Sequence, residues 1–464
     1  MKEDLQKIYT ALPDLTVKDK ELIEKAYKFA GEKHEGQRRN SGEPYFSHLL
    51  ATAQNLADLH MDTASIVAGF LHDTLEDTDT KKEELEKEFG KDVLFIVEGV
   101  TKISHMRYHG TDRHNESLRR LLLATSEDIR VLVVKLSDRL HNMRTLSHVN
   151  KEKQRRIAAE TLEIYAPIAY RLGIRKLSRE LEDLAFPYVY PEGYKELTSL
   201  LKQGEEERKE RLEQFRKSVS KELVKAGLTE FKSDYRVKGL YSLYKKYIAF
   251  KKDFEKIYDV LAMRITVKKT EDCYRVLGII HSAWKPLPGR IKDYIAFPKI
   301  NGYQSLHTTV FTGDGGLVEI QIRTEEMHRE AEYGVASHAL YKSESSIQSQ
   351  KEVADWIRSI SEQNVADIKR DFLSERIFVY TPKGDVIDLP KGASAIDFAY
   401  MIHSDIGNHM SGAKINGKLC SLTSILKGGE IVEVITSKNA KPNRKWLDFV
   451  KTTFARKHIK NFTT

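Results

Sequence analysis

From the first residues to about Tyr190, apolar positions recur at helical spacing, as in Ile66, Phe70 and Leu71 or Leu132, Leu136 and Leu140, with few strand-like alternations between. That stretch is expected to be all-helical. Past Pro191, Leu197 to Leu228 keeps a helical pattern, but Glu205 to Arg211 is almost entirely charged, which suits a solvated helix joining two units. Between Asp259 and Val267 the pattern changes to alternation, with Leu261, Met263 and Ile265 on one side, and Leu317 to Thr324 repeats it with Val318, Ile320 and Ile322. A mixed α/β unit is expected there. Ser343 to Gln350, rich in Ser and Gln, reads as a mobile loop. Ile377 to Tyr380, the turn Pro382-Lys383-Gly384-Asp385 and Val386 to Leu389 read as a hairpin, and Glu430 to Ile435 adds a strand, giving a small β-rich unit. Lys441 to Lys460 has helical composition but no core of its own, as if a longer protein continued. The expected units are 1–195, 196–372 and 375–437, with 438–464 starting a further helical region.

Composition narrows the class. The 464 residues carry 76 Lys+Arg against 68 Asp+Glu, so the net charge is 76 − 68 = +8. A chain of this length holds two to four domains at roughly 100–200 residues each. The modest positive excess suits anionic partners such as nucleotides or RNA without requiring them. Two cysteines, Cys273 and Cys420, are too few for a disulfide framework or an all-cysteine zinc site, so a reducing compartment is expected. No run approaches the roughly 18 apolar residues that span a bilayer, and Met1-Lys2-Glu3-Asp4 does not open a signal peptide. The expectation is a cytoplasmic protein without a membrane partner.

Two constellations carry chemistry. The first is on Ala64 to Asp77, where His72-Asp73 is followed one turn later by Glu76-Asp77. On a single helix His72/Glu76 and Asp73/Asp77 are i,i+4 pairs on one stripe. Three carboxylates and an imidazole so concentrated favour a cation among them; a solvated charged face is the alternative, and the doubled pairs argue against it. A second helix offers Asp138, His141 and Asn142, and an upstream stretch offers Arg39 and His48 around the turn Ser41-Gly42-Glu43-Pro44. His48, His72, Asp73 and Asp138 would form a mixed nitrogen and oxygen site suited to manganese or a similar divalent ion, with positions left for water and phosphate.

The second constellation lies between Lys232 and Lys256, where eight basic residues stand against three acidic ones, interleaved with Tyr and Phe. That pattern would also serve single-stranded nucleic acid. Asp259 and Glu319 on neighbouring strands favour magnesium-assisted transfer from a nucleoside triphosphate instead, unless they are edge-strand groups facing water. Glu319, Gln321 and Arg323 share the face opposite Ile320 and Ile322. The turn Asn301-Gly302-Tyr303-Gln304 adds an aromatic suited to stacking on a base.

His48, His72-Asp73 and Asp138, within Phe70-Leu71-His72-Asp73-Thr74-Leu75-Glu76-Asp77-Thr78 and Lys135-Leu136-Ser137-Asp138-Arg139-Leu140-His141-Asn142-Met143-Arg144-Thr145, closely resemble the HD-type alarmone hydrolase domain of the long RelA/SpoT homologues. The resemblance implies that the four named residues bind Mn2+, Glu76 and Asp77 handle the attacking water, Arg39 steadies phosphate, and Asn142 and Thr145 line the nucleotide pocket. Leu49 and Ser137 depart from the usual proline and alanine, and neither removes a ligand. Arg236-x-Lys238-x3-Ser242-x3-Lys246, Tyr258-Asp259-Val260-Leu261-Ala262-Met263-Arg264, the Tyr303 loop and Val318 to Thr324 resemble the synthetase domain of the same family. This implies a nucleotidyltransferase-like fold that moves the β,γ-pyrophosphate of ATP to the 3′-hydroxyl of GDP or GTP. Arg236, Lys238, Ser242, Lys246 and Arg264 would hold ATP, Asp259 and Glu319 would hold Mg2+, Glu319 would accept the hydroxyl proton, and Tyr303 would stack on guanine. His307 and Gln321 would support the acceptor. Arg290-Ile291-Lys292-Asp293 fits the R-x-K-D signature of bifunctional members; Gly239 and Ala339 depart from the family's usual residues.

Residues 376–436 resemble the TGS domain, a β-grasp module, and His403 stands where relatives contact the 3′ end of deacylated tRNA. The resemblance thus implies a bifunctional (p)ppGpp synthetase and hydrolase of the stringent response, ending after the TGS unit, with ribosome and deacylated tRNA as further partners. A hydrolase-dominant member, or a tRNA- and ribosome-binding sensor with weak catalysis, is the alternative. Since either activity undoes the other, reciprocal coupling is expected, with the helices from Thr145 to Pro191 as the coupling element.

Overall fold

A computed structural model of the chain describes residues 1–104, 128–254, 257, 260–299, 301–313, 316–334 and 376–463. Asp259, Ala339 and the Ser343 to Gln350 segment lie outside them. The chain forms two compact units, Met1–Arg358 and Ser359–Thr464.

The first unit begins with helices α1 (Lys2–Ala11), α2 (Val17–Lys33), α3 (Phe46–Asp58), α4 (Thr63–Leu71), the single turn α5 (Thr74–Asp77), α6 (Lys82–Ser104) and α7 (Ile129–Arg144). Local chemistry starts several of them. Thr16 and Asp19 form a capping box on α2, and Asp62 and Asp128 accept N–H groups at the starts of α4 and α7. Arg130 ties the two caps together by bonding Asp62 and Asp128. α4 is buried on every side from Ser65 to Leu71, the pattern of a helix enclosed by others, here α2, α3, α6 and α7. Each large side chain enclosed there, such as Phe70, Ile66 or Leu56, contributes about 1.5–3 kcal/mol. At Gly69 a Cβ would stand 2.6 Å from Leu56 Cδ1 and 3.2 Å from Ala53 Cα, so α3 and α4 touch nearly backbone to backbone. This close crossing brings the start of α3 beside the end of α4.

The helical layer continues through α8 (Lys151–Glu160), a π turn at Thr161–Tyr165, α9 (Ala166–Arg171), α10 (Arg175–Val189), α11 (Pro191–Lys202) and α12 (Glu205–Lys225). Then come β1 (Phe231–Val237), α13 (Leu240–Ala249), β2 (Leu261–Val267), α14 (Thr270–Ala283), β3 (Lys292–Asp293), β4 (Leu306–Phe311), β5 (Leu317–Thr324) and α15 (Glu325–Tyr333). The sheet order is β1-β2-β5-β4-β3, with β2 and β5 parallel and the other pairs antiparallel. Glu319 therefore sits on the central strand, not an edge.

Two expectations change. The charged stretch at 205–211 opens α12, but that helix buries Leu212, Phe215, Val219 and Leu223 against Met263, Ile265, Ile320 and Ile322 of the sheet. Its charge covers the first two turns and the outer face, while its apolar stripe is core. Nor does the packing part near residue 195, because Phe186, Leu197, Leu243 and Tyr247 share one cluster that joins α10, α11 and α13.

The second unit contains the hairpin β6 (Arg376–Tyr380) and β7 (Val386–Pro390), helices α16 (Ala395–Ile402) and α17 (Ser404–Asn408), strands β8 (Met410–Ile415), β9 (Lys418–Cys420) and β10 (Val432–Thr436), and α18 (Thr453–Thr463). The strands β8–β10 form a sheet in the order β10-β8-β9. Residues after 437 were expected to lack a core, yet Val450, Ala455 and Ile459 complete this unit's core beside Phe398 and Tyr400. The buried Asp397 carboxylate fastens them, accepting from Ser394 N and Oγ, Lys451 N, and Thr452 N and Oγ1.

Candidate metal and nucleotide sites

The expected single stripe on Ala64 to Asp77 is broken in the structure. α4 ends at Leu71 because the His72 ring bonds through Nδ1 to the Gly69 carbonyl, 2.9 Å away, which the Asp73 N–H would take if the helix continued. Asp73 then starts the short α5 that carries Glu76 and Asp77. With Nδ1 so engaged, His72 Nε2 is completely buried and has no hydrogen-bond partner. It lies 3.2 Å from Asp73 Oδ2 and 4.0 Å from Asp138 Oδ1. His48 Nε2, from the first turn of α3, is 3.3 Å from Asp138 Oδ1 and 3.5 Å from Asp73 Oδ2. One donor atom from each of His48, His72 and Asp138 lies within 4.8 Å of the others, and all three residues are buried.

An orphaned imidazole nitrogen facing two carboxylates fits a divalent cation held by nitrogen and oxygen. The electrostatics agree. Burial opposes charge on His72, but Asp73 and Asp138 outweigh it and lift its pKa to about 9. Burial likewise opposes charge on Asp138, but Lys135 and His48 hold its carboxyl well below the usual range.

The surrounding groups are ordered by one another. Lys135 Nζ donates to Asp138 Oδ2 at 2.7 Å, and Asn142 Nδ2 donates to Oδ1 at 2.6 Å. Arg39 Nη2 donates to Asn142 Oδ1 at 2.6 Å, and its Nη1 lies 3.0 Å from His141 Nδ1. Thr145 caps α7 and donates to the His141 carbonyl. The Tyr45 hydroxyl stands 2.7 Å from Asp73 Oδ2 and 2.9 Å from Asp77 Oδ2, its ring stacked on His34. Glu76 is half-buried and Asp77 exposed at the rim.

The second site occupies the polar face of the sheet. Pairing aligns Asp234, Arg264, Gln321, His307 and Lys292 across the five strands, and Arg236, Ala262, Glu319 and Thr309 in the next row on that face. Gln321 bonds Glu319 at 2.9 Å, and His307 Nδ1 lies 3.5 Å from the same carboxylate. Arg264 is engaged by Asp234 and Glu332, and Ser242 on α13 by Glu182 of α10. Lys238 follows β1, Lys246 is half-buried on α13, and Arg290 and Lys292 are exposed.

Tyr303 differs from its expectation. Rather than presenting a ring on an open turn, it is 2 % exposed. Its hydroxyl meets His307 Nε2 at 2.8 Å, while the Arg175 guanidinium lies over the ring at 4.5 Å and Lys299 at 5.3 Å. Both cations are drawn to the π face, so a stacking base would have to displace them. Burial, with Arg175 and Lys292, lowers Lys299 to about 7. Burial and the neighbouring cations also hold His307 well below its ordinary value.

Three sequence profiles match the chain: an HD domain at residues 26–175, a region found in RelA and SpoT proteins at 235–346, and a TGS domain at 377–436. Curated relatives match across the whole length. A guanosine-3′,5′-bis(diphosphate) 3′-pyrophosphohydrolase of Aquifex aeolicus is 46% identical over all of this chain and 67% of its own. The chain belongs to the RelA/SpoT family. A GTP pyrophosphokinase of Myxococcus xanthus is 46% identical over 96% of this chain and 60% of its own, and the bifunctional (p)ppGpp synthase/hydrolase SpoT of Escherichia coli is 41% identical over 98% and 66%. The chain thus spans about three-fifths to two-thirds of the length of these RelA/SpoT relatives.

Within the RelA/SpoT chain, the HD region contains the His48, His72 and Asp138 group that could hold a divalent metal, and the region after residue 235 contains the cation-rich sheet face. Tyr45, Lys135, Arg175 and Lys299 were missed from sequence. Lys135 had a signal, since it stands one helical turn before Asp138; the other three meet their partners only through the fold. In the TGS unit His403 is exposed and accepts Asp405 N–H on Nδ1, which leaves the ring proton to Nε2. No helix among the described residues is long and apolar enough to cross a membrane.

Proposed function

We propose that this chain is a two-site alarmone enzyme of the stringent response. The HD site hydrolyses (p)ppGpp to GDP or GTP and pyrophosphate, and the sheet site transfers pyrophosphate from ATP to the 3′-hydroxyl of GDP or GTP. The observation that carries the reading is His72 Nε2, buried, without a hydrogen bond and facing Asp73 and Asp138 beside His48. A bound Mn2+ would polarise phosphate and lower the pKa of water. Arg39, aimed by Asn142, binds the phosphate, while Asp77 and Glu76 accept the water's proton beside Tyr45.

At the sheet site Arg236, Lys238, Ser242, Lys246 and Arg264 bind ATP, with Arg290 and Lys292 adding positive charge. Asp259 and Glu319 hold Mg2+, and Glu319 accepts the proton of the attacking hydroxyl. His307 and Gln321 support the acceptor, and Tyr303 stacks on guanine once Arg175 withdraws. In the state described here the HD site is assembled while Tyr303 is covered, an arrangement that favours hydrolysis. α10 is the coupling element, since its Arg175, Glu182 and Asp183 contact Tyr303, Ser242 and Tyr241 N. The TGS unit, through His403, contacts deacylated tRNA on the ribosome, and the enzyme works in the cytoplasm.

The test measures ppGpp breakdown with Mn2+ and product formation from ATP and GDP with Mg2+ in wild type, Asp73→Ala and Glu319→Gln. Each variant should lose one activity and keep the other. Loss of both in either variant, or of neither, would refute the two-site assignment.

A further inference from the structure

The metal-sized group is His48, His72 and Asp138, yet a third imidazole stands against it. His141 lies on α7 one turn after Asp138 and is 9% exposed. Its Nδ1 is 3.0 Å from Arg39 Nη1 and 2.8 Å from His48 Nδ1. A guanidinium has only donors, so His141 Nδ1 carries the lone pair. His48 Nδ1 must then carry the proton, for two unprotonated nitrogens would repel at this separation. With Nδ1–H given to His141, the neutral His48 ring has its lone pair on Nε2, the nitrogen that faces Asp138 and Asp73 and that a cation among them would use. His72 is oriented in the same way by a different partner, since its Nδ1 gives its proton to the Gly69 carbonyl and turns Nε2 toward the carboxylates.

We infer that His141 is a positioning residue of the hydrolase site: it is no ligand itself, but its Nδ1 selects the metal-binding tautomer of His48 and aims Arg39 at the phosphate. A ligand histidine gives its second N–H to an acceptor, usually a carboxylate or main-chain oxygen, and that acceptor fixes the ring's tautomer and orientation. Here the acceptor is an imidazole, and the same atom also receives Arg39. Arg39 in turn holds Asn142, which donates to Asp138 Oδ1. His48 and Asp138 are thereby held from both ends of one loop of hydrogen bonds that closes through Arg39.

This inference rests on the metal-site reading above, and the experiment separates the two. Mn2+ affinity is measured on the full metal-stripped chain by the loss of the free-ion signal in electron paramagnetic resonance, with melting temperatures compared before metal is added. His141→Leu keeps the bulk and removes the acceptor; His141→Asn puts an oxygen where Nδ1 stood. Leu should weaken the affinity by about 10–100-fold and Asn should restore most of it. Should Leu fail to fold, His141→Gln, whose oxygen reaches the Nε2 position instead, takes its place with the same expected loss. A Leu variant that binds Mn2+ as wild type does, or an Asn variant as weak as Leu, overturns the assignment of His141 alone. Wild type that binds no more Mn2+ than Asp138→Asn overturns the metal-site reading and this one with it.

Discussion

Replacing Gly334 with Ala tests the coupling between the helical layer and the sheet without touching either site. Gly334 ends α15 with φ +52° and ψ −134°, a backbone region that costs a residue with a Cβ about 1–3 kcal/mol. An added Cβ would also run into Leu172 O and Gly173 C, and would stand 2.7 Å from Gly173 Cα. No side chain can rotate away to relieve those contacts, so α15 and the α9–α10 turn must part by roughly 1 Å. Lys176 lies over the Tyr333 ring of α15 at this crossing, and two further interactions tie the same turn to the loop that carries Tyr303. Arg175 over the ring is worth about 1 kcal/mol. The bond from Asn301 Nδ2 to Tyr170 O adds about 1 kcal/mol more. A penalty of about 2 kcal/mol therefore cancels them and shifts the covered-to-uncovered ratio by about 30-fold. In paired assays, synthesis from ATP and GDP should rise relative to ppGpp hydrolysis. An unchanged ratio in a protein that melts earlier would refute the reasoning, because the crossing would then be packing and nothing more.

Other substitutions probe the same layers. Burial lifts Asp183, which accepts Tyr241 N from across the interface, to about 6. A folded-state pKa raised above 3.8 means that ionisation costs stability as pH rises from about 4 to 6, so Asp183→Asn should gain up to about 3 kcal/mol over wild type at pH 7 and lose that advantage below pH 4; denaturant titrations at the two pH values measure it. Tyr45→Phe removes the hydroxyl shared by Asp73 and Asp77 and should slow ppGpp hydrolysis about 10–100-fold while synthesis persists, measured on one preparation. Asp397→Ala strips the acceptor from four buried donor contacts and one part-buried one, and should cost the second unit at least about 3 kcal/mol, read as an early calorimetric transition in the full chain.

Much of the site could be read from the chain because its chemistry is local. His72-Asp73 and Asp138 with Asn142 are short-range pairings that helical spacing exposes, and the alternation of Ile320 and Ile322 against Glu319 and Gln321 marks both faces of a strand. What spacing cannot reveal is where a side chain goes after its helix ends. The stripe expected from His72 to Asp77 failed because a side-chain bond to Gly69 competes with the helix. The charged opening of α12 hid its apolar stripe, whose spacing was legible but whose partner sheet was not. Tyr303 lies 128 residues beyond Arg175, and no local pattern announces that a cation from another layer covers it. The segment after residue 437 looked coreless because its few apolar residues complete another element's core.

Lys299 makes the cover over Tyr303 sensitive to proton activity. It is burial first, and Arg175 next, that bring this amine to about 7, so near neutral pH it carries its charge only part of the time. Withdrawing Arg175 and admitting water returns Lys299 toward the ordinary lysine range, and the uncovered state then binds an extra fraction of a proton. By linkage, acidification from the ordinary lysine value of 10.5 down to about 7 favours uncovering, and uncovering in that window draws a proton from the medium. A nucleotide's phosphates entering beside Lys299 would pull in the same direction, so the heat of its binding should vary with the ionisation enthalpy of the buffer.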